Sequence, residues 1–550
     1  MDGGEERAAA ARREGPAGRR AASLVAAGIL LSRLSGFVRQ RVFAHFFGNG
    51  DAADAFNAAL KIPNLLQNLF GEGVLSASFI PVYAGLLGRG DDKEAGRVAG
   101  VVATLLSLVT ALLVLLGLVA TPLLIGVIAP GFSGEKQAVT IRLVRILFPG
   151  VGLLVLSAWC LGVLNSHRRF FLSYAAPVVW SAAMIAAMLA CGGGTPLYRL
   201  AAIVAVAASL GSAAQLAVQL PTVLALQKGL RLSFDTASAN VRAVFANFGP
   251  VVLSRGVVQV SAYVDQLLAS FLGTGAVAGL SYAQLLYTLP ISLFGMSISA
   301  SELPEMSRAT GAADPAGGGM AGEEVAAYLR GRLSAGLRRI AFLVVPSAVA
   351  FLALGDVIAG LLYQTGKFTR GDALYVWGIL AGSAVGLLAS TMGRLYSSTF
   401  YALRDTRTPL RFALVRVALT TGLGWLCALP LPPALGLDPR WGAAGLTASA
   451  GIAGWVEFLL LSRGLKARIG GAELPASFLA RLWGAAVAGA ALAWGVKLLA
   501  FGRWPGHPFL AGIAVLAPYG VVYLGTASLL GVKEARQLAA GALRRIPGRR

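Results

Sequence analysis

Apolar stretches of about twenty residues or more recur along the whole chain of 550 residues, parted by short polar breaks. Each is long enough to carry an α-helix across a hydrocarbon layer of ~30 Å. Fourteen spans are expected, near 22–47, 52–88, 96–128, 138–165, 171–191, 199–227, 241–272, 276–307, 325–354, 372–402, 409–430, 441–463, 478–500 and 508–531. Several exceed the needs of a bilayer, which predicts tilt, kinks or extensions beyond it. The fold class is therefore all-α and polytopic. A Gly/Ala-rich stretch at 308–324 has no core of its own and reads as a linker between two halves.

Composition agrees with this pattern. Mean hydropathy is +0.71. Hydrophobic residues make up 56% of the chain and charged residues 13%, more apolar surface than a soluble domain can hide. The net charge of +22 would suggest nucleic acid in a soluble protein, but its location argues otherwise. Basic clusters such as Arg19/Arg20, Arg89/Lys93/Arg97, Arg168/Arg169, Arg404/Arg407/Arg411 and Arg544/Arg545 alternate with loops nearly free of Lys and Arg. That is the positive-inside pattern. It places both termini in the cytoplasm and requires no nucleic acid. Cys160, Cys191 and Cys427 have no paired spacing, so neither a disulfide framework nor a metal site is expected. Arg33 inside the first apolar run argues against a cleavable signal peptide.

The chain also repeats itself. Phe47-Gly48-Asn49-Gly50 leads to Pro63 and then Ser76-Ala77-Ser78-Phe79-Ile80-Pro81. Leu272-Gly273-Thr274-Gly275 leads likewise to Pro290 and then Ser299-Ala300-Ser301-Glu302-Leu303-Pro304. A second echo pairs Ala129-Pro130-Gly131-Phe132 with Thr365-Gly366-Lys367-Phe368, and the spans that follow close at Arg168-Arg169 and Arg404-Asp405. The unit is six spans, an even number, so both halves share one orientation. The expected organisation is a basic tail at 1–21, a six-helix lobe at 22–227, a second at 241–463, two further spans at 478–531 and a basic tail at 532–550.

Against this apolar background the charges inside the spans stand out. Arg33, Arg39 and Arg41 lie in the first apolar stretch; Asp54, Lys61-Ile62-Pro63-Asn64 and Gly71-Glu72-Gly73 lie in the second. Each arginine or aspartate at mid-membrane costs roughly 2.5–3.5 kcal/mol on insertion scales. The usual remedy is a water-filled cavity where such groups meet each other or an ionic substrate. Guanidinium groups bind phosphate oxygens through paired donors, so the pattern points to transport of an anion. Blander readings stand beside these. Arg39 and Arg41 snorkel to one face, Asp54 serves a gate or pairs with a first-span arginine, and Glu72 bonds helix ends or sits solvated in a loop. Pro63 predicts a kink, with Asn64 satisfying freed backbone groups. Arg255 and Asp265, ten residues apart in span seven, are ~15 Å apart along a helix and form no local pair.

Ser32-Arg33-Leu34-Ser35-Gly36-Phe37-Val38-Arg39, Ala53-Asp54-Ala55-Phe56 and Ile62-Pro63-Asn64-Leu65-Leu66 resemble the MurJ/MviN family of lipid II flippases. So do Gly71-Glu72-Gly73, Phe79-Ile80-Pro81, Ala129-Pro130-Gly131-Phe132 and Gly366-Lys367-Phe368-Thr369, in order along all fourteen spans. The resemblance implies the multidrug/oligosaccharidyl-lipid/polysaccharide exporter fold, with two six-helix lobes and a polyprenyl-tail groove in the last two spans. It implies that Arg33, Arg39, Asp54 and Asn64 match functional family positions, and that Arg394 stands at a basic position of span ten. The chain departs from the family pattern at Gln67, Leu285 and Thr288, where charged residues are usual, while Arg255 would restore one positive charge.

The expected activity is alternating-access flipping of lipid II, or a related undecaprenyl-diphosphate glycan, from the cytoplasmic to the periplasmic leaflet of a bacterial inner membrane. Arg33, Arg39, Arg394, Arg255 and Asn64 would bind substrate, and Asp54, Glu72 and Asp265 would gate or pair. The alternatives are a flippase for another polyprenyl-linked glycan and an ion-coupled small-molecule exporter of the same fold. No catalytic constellation or nucleotide-binding loop is present, so no enzyme and no cofactor are expected. Energy would come from membrane potential or a monovalent cation, and the partners would be lipids.

Overall fold

The computed structural model describes residues 16–227, 233–311, 322–472, 474–503 and 507–543, and those residues contain helices and connections with no strand. The helices are α1 (Pro16–Phe47), α2 (Asp51–Phe70), α3 (Glu72–Gly88), α4 (Asp92–Ile128), α5 (Gly134–Ser166), α6 (Phe170–Ala175), α7 (Pro177–Cys191) and α8 (Leu197–Leu226). There follow α9 (Ala239–Ser270), α10 (Ala276–Pro290), α11 (Ser297–Gly311), α12 (Gly322–Tyr363), α13 (Arg370–Ala402), α14 (Arg407–Ala428) and α15 (Leu431–Ala434). The last are α16 (Gly442–Ile469), α17 (Ala476–Arg503), α18 (Pro508–Leu529) and α19 (Lys533–Leu543).

Among the described residues, twelve helical segments are long and apolar enough to cross a membrane. The other two of the fourteen expected spans coincide with α1 and α9, which that count does not include. The expected linker is shorter than its composition suggests: α11 runs to Gly311 and α12 begins at Gly322, while 312–321 lie outside the described residues. The basic C-terminal tail carries α19, tied to α12 by Arg338 Nε and Glu534 Oε1 at 3.1 Å. Large apolar side chains point outward, with Val119 81% and Leu529 86% exposed, as a lipid-facing surface requires.

Contacts divide the chain into two units, 1–267 and 268–550. In the first, α5 is the central helix and packs against α8, α2 and α4. In the second, α13 packs against α16 and α12, and α17 and α18 pair with each other and lie on α12. The sequence repeat has a local structural counterpart. Both α5 and α13 are 33 residues long. The first ends with Arg168 N–H donating to the Asn165 carbonyl and Arg169 N–H to that of Leu164; the second with Arg404 N–H donating to Tyr401 and Asp405 N–H to Phe400. Both turns place an arginine in the left-handed region, Arg168 at φ 60° and Arg404 at φ 57°.

The second span of each half is interrupted. In the first half α2 stays helical through Pro63, and the break comes at Gly71 (φ −89°, ψ −145°), after which α3 starts. A side chain at Gly71 would bring Cβ within 2.2 Å of the Gln67 carbonyl oxygen. In the second half Ile291–Met296 forms a π-helical turn directly after Pro290. Such irregular backbone survives at membrane depth only where protein or a cavity surrounds it.

A third irregularity secures the last helices. Leu354 in α12 leaves helical geometry (φ −128°, ψ 15°). The indole N–H groups of Trp377 and Trp494 donate to the Leu352 and Ala353 carbonyls, each at 3.0 Å, capping groups beside the kink. Two residues beyond Leu354, Asp356 holds Lys497 of α17, with Nζ 2.9 Å from Oδ1 and 2.8 Å from Oδ2. The two side chains are about one-tenth exposed, and the ammonium lies 4.3 Å from the Trp494 ring centre.

Candidate functional site

In the first unit the turn at Gly48 (φ 62°) reverses the chain into α2, whose first turn holds Asp51 and Asp54. Carboxylates suit that end, where unpaired N–H groups concentrate positive potential. Asp54 is fully buried. The segment Ala129-Pro130-Gly131-Phe132 brings α5 alongside, so that Lys136 Nζ lies 2.7 Å from Asp54 Oδ2 and 2.8 Å from Asp51 Oδ1. The ammonium also sits 4.3 Å above the buried Phe132 ring. Lys136 is the partner that the sequence reading missed: pairing of Asp54 was expected from a first-span arginine. A signal was present, since Lys136 follows the Ala-Pro-Gly-Phe segment by four residues and is the only basic residue in the first turn of α5.

The other expected residues of this unit are spread along its helices. Arg39 is half-buried, and its guanidinium carbon lies 4.4 Å from the Trp180 ring centre, which fastens α1 to α7. Arg33, two turns earlier, is exposed, as is Asn64 on α2. Asp265 on α9 is half-buried and near enough to Lys61 for their charges to interact. Tyr263 of α9 donates to the Lys61 carbonyl at 2.9 Å. The side chains of Glu72 and Arg255 lie outside the described residues.

In the second unit Arg394 is exposed on α13, beside an ion pair that the sequence reading passed over. Arg416 Nη1 of α14 and Glu457 Oε2 of α16 are 3.1 Å apart. Both are lone charges inside apolar runs, the same signal that marked Arg33. Tyr287 of α10 shares this electrostatic neighbourhood. Among the described residues no group of three or more His, Cys, Asp or Glu could hold a metal.

Each unit also contains a cavity at its interrupted span. That of the first unit, about 440 Å³, lies at the Gly71 break; Gln67, Asn68, Gly73 and Ser76 line it from α2 and α3, and Ser157, Gln215 and Gln219 from α5 and α8. That of the second, about 320 Å³, lies at the π-turn and is apolar, with Leu289, Pro290, Leu293, Phe294, Phe351 and Tyr519 among its walls.

The solved structure titled "Lipid II flippase MurJ, inward closed conformation" superposes on the chain with a TM-score of 0.72 at 22% identity, covering 92% of this chain and 98% of that one. An inward-facing multidrug resistance MATE transporter of the MOP superfamily gives a TM-score of 0.63 at 18% identity, over 79% of this chain and 95% of that one. The chain is thus a multi-pass helical membrane protein whose fold is similar to those of these two structures. A family model described as "Lipid II flippase MurJ" matches residues 43–514. The "Probable lipid II flippase MurJ" of Rhizobium tropici is 32% identical over 442 residues, 78% of this chain and 77% of the relative. The "Lipid II flippase MurJ" of Burkholderia cenocepacia is 31% identical over 447 residues, 80% of this chain and 82% of the relative. The chain belongs to the MurJ family.

Proposed function

We infer that the protein is a lipid II flippase, which carries the undecaprenyl-diphosphate-linked peptidoglycan precursor from the cytoplasmic to the periplasmic leaflet of a bacterial cytoplasmic membrane for cell-wall synthesis. The observation that carries this reading is the family match across 43–514, which includes Arg255 and Arg394, while Arg33 and Arg39 lie just before it in the first span. Two lobes, 22–227 and 241–463, alternate access, while 478–531 accompanies the polyprenyl tail, and both termini face the cytoplasm. Arg33, Arg39, Arg394 and Arg255 bind the diphosphate, whose oxygens accept paired guanidinium hydrogen bonds, and Asn64 adds an amide. Asp54, Glu72 and Asp265 set the resting charge balance against Lys136, Lys61 and the arginines. Membrane potential or a monovalent cation supplies the energy, about 2.3 kcal/mol per charge per 100 mV.

The test is lipid II flipping by purified protein in vesicles, together with rescue of cells depleted of their lipid II flippase. Wild type is expected to flip and to rescue, and Arg33→Ala and Arg39→Ala to lose most of both. Wild-type protein inactive in both assays would overturn the reading. A second reading, transport of another polyprenyl-linked glycan, is favoured by the neutral Gln67, Leu285 and Thr288 at positions usually charged in the family pattern. Faster flipping of such a glycan than of lipid II would select it.

A further inference from the structure

The polar cavity of the first unit plays no part in the reading above, yet its walls fit one kind of ligand. We propose that it receives an N-acylated sugar ring of the lipid-linked headgroup, the acetamido group seated between Gln215 and Gln219. The proposal rests on the lipid II reading and adds a subsite to it.

The floor consists of Ser157, Gln215 and Gln219, only 2%, 7% and 1% exposed. Gln215 Nε2 donates to Ser157 Oγ at 2.9 Å, and Ser157 Oγ donates to Gln219 Oε1 at 3.0 Å. This chain uses one amide donor and one amide acceptor. The Gln215 carbonyl oxygen and the Gln219 N–H groups are left over, and no described residue engages them. Exchanging oxygen and nitrogen in both amides reverses the chain and again leaves one acceptor and one donor, with the two residues' roles exchanged. The two glutamines are four residues apart on α8, hence on one face. An acceptor beside a donor is the complement of a secondary amide, which offers one N–H and one C=O. Neither leftover group is sealed off in the protein interior, so both are open to a ligand in the cavity that matches them.

Other ligands fit less well. Among the described residues no Lys, Arg, Asp or Glu lines the cavity, and none of them offers a diphosphate or a cation a counter-charge there. A volume of about 440 Å³ lies in the small-molecule range. Asn68 and Ser76 are exposed at the rim, where a sugar's ring hydroxyls find an amide and a hydroxyl. The wall is the broken second span, and discontinuous helices mark binding sites in transporters.

The test measures binding by the full-length protein in nanodiscs to undecaprenyl diphosphate, undecaprenyl-diphosphate-N-acetylglucosamine and lipid II. Wild type is expected to favour both sugar-bearing lipids over undecaprenyl diphosphate. Gln215→Leu with Gln219→Leu is expected to weaken both about tenfold while leaving undecaprenyl diphosphate unchanged, which also checks folding. If the double variant does not fold, Asn68→Ala at the exposed rim decides, with a loss of about threefold confined to the sugar-bearing lipids. Losses shared equally by all three lipids, or no loss at all, overturn the proposal. Wild type that binds lipid II no better than undecaprenyl diphosphate also overturns it, and leaves the flippase reading standing. Wild type that binds none of the three overturns both.

Discussion

At the start of the second span of each half, the first half is polar and the second apolar. Counting from Gly50 and Gly275, Asp54 corresponds to Gly279. The first half buries a carboxylate there and closes Lys136 upon it. The second half has no side chain there: a Cβ on Gly279 would stand 2.8 Å from Tyr375 Cε1, and the neighbouring space holds the ring cluster of Tyr282, Tyr363 and Phe368. The cavities follow the same division, amides and hydroxyls at the Gly71 break against leucine, proline and phenylalanine at the π-turn. The aligned turns and the two cavities thus carry different chemistries, one polar and one apolar.

The largest effect expected from breaking this contrast falls on the ionic pair. Lys136→Met leaves the buried Asp54 without its ammonium and should destabilise the protein by about 3–5 kcal/mol, largely restored when Asp54→Asn is added. Thermal unfolding in detergent reads both, and an additive double variant would show that the two residues do not act as a pair. On the apolar side Gly279→Ala overpacks against Tyr375 and should cost about 1–3 kcal/mol by the same measurement. A neutral outcome would mean that the close approach is not needed.

Where the halves agree, equal effects are expected. Arg168→Gly and Arg404→Gly relieve left-handed strain at matching turns, and each should stabilise by about 0.5–1 kcal/mol. A marked difference between them would break the structural correspondence.

The smallest effect is one of pH and sharpens the contrast between those turns. His167 lies between α5 and α6, its Nε2 2.8 Å from Tyr83 Oη, which also accepts from Gln227 at 2.7 Å. Burial holds its pKa below the ordinary value, with the charge of Asp92 opposing the shift. A depressed histidine is protonated more readily unfolded than folded. Its contribution is therefore intact above the unfolded value of about 6.5 and lost as pH falls through it towards the folded value. In the second half Asp405 is held low, chiefly by hydrogen bonds from Thr408 and also by Arg468. Its contribution persists above about 3.9 and fails only in stronger acid. Melting temperature should decline between pH 7 and 5.5 in wild type and less steeply in His167→Gln. Parallel curves would remove His167 from this role.

The spans were legible because a run of twenty apolar residues has few other physical outcomes. The repeat was legible because glycines and prolines constrain backbone directly, as at Gly48 and Gly273, both in the left-handed region. The break at Gly71 was harder to read: Pro63 drew attention eight residues earlier, although a helix can keep its course through a proline when neighbours satisfy the freed carbonyl. Pairings were the least legible. Asp54 and Lys136 are 82 residues apart, and only the packing of α2 on α5 brings them together. The Ser157, Gln215 and Gln219 floor escaped because uncharged amides barely alter hydropathy, although glutamines four residues apart in an otherwise apolar helix were a signal.

The contact between Asp356 and Lys497 carries a consequence for motion. An ion pair this enclosed does not open and close freely, because each opening would strand two bare charges away from water. The final two membrane helices are therefore expected to travel with α12 as passengers.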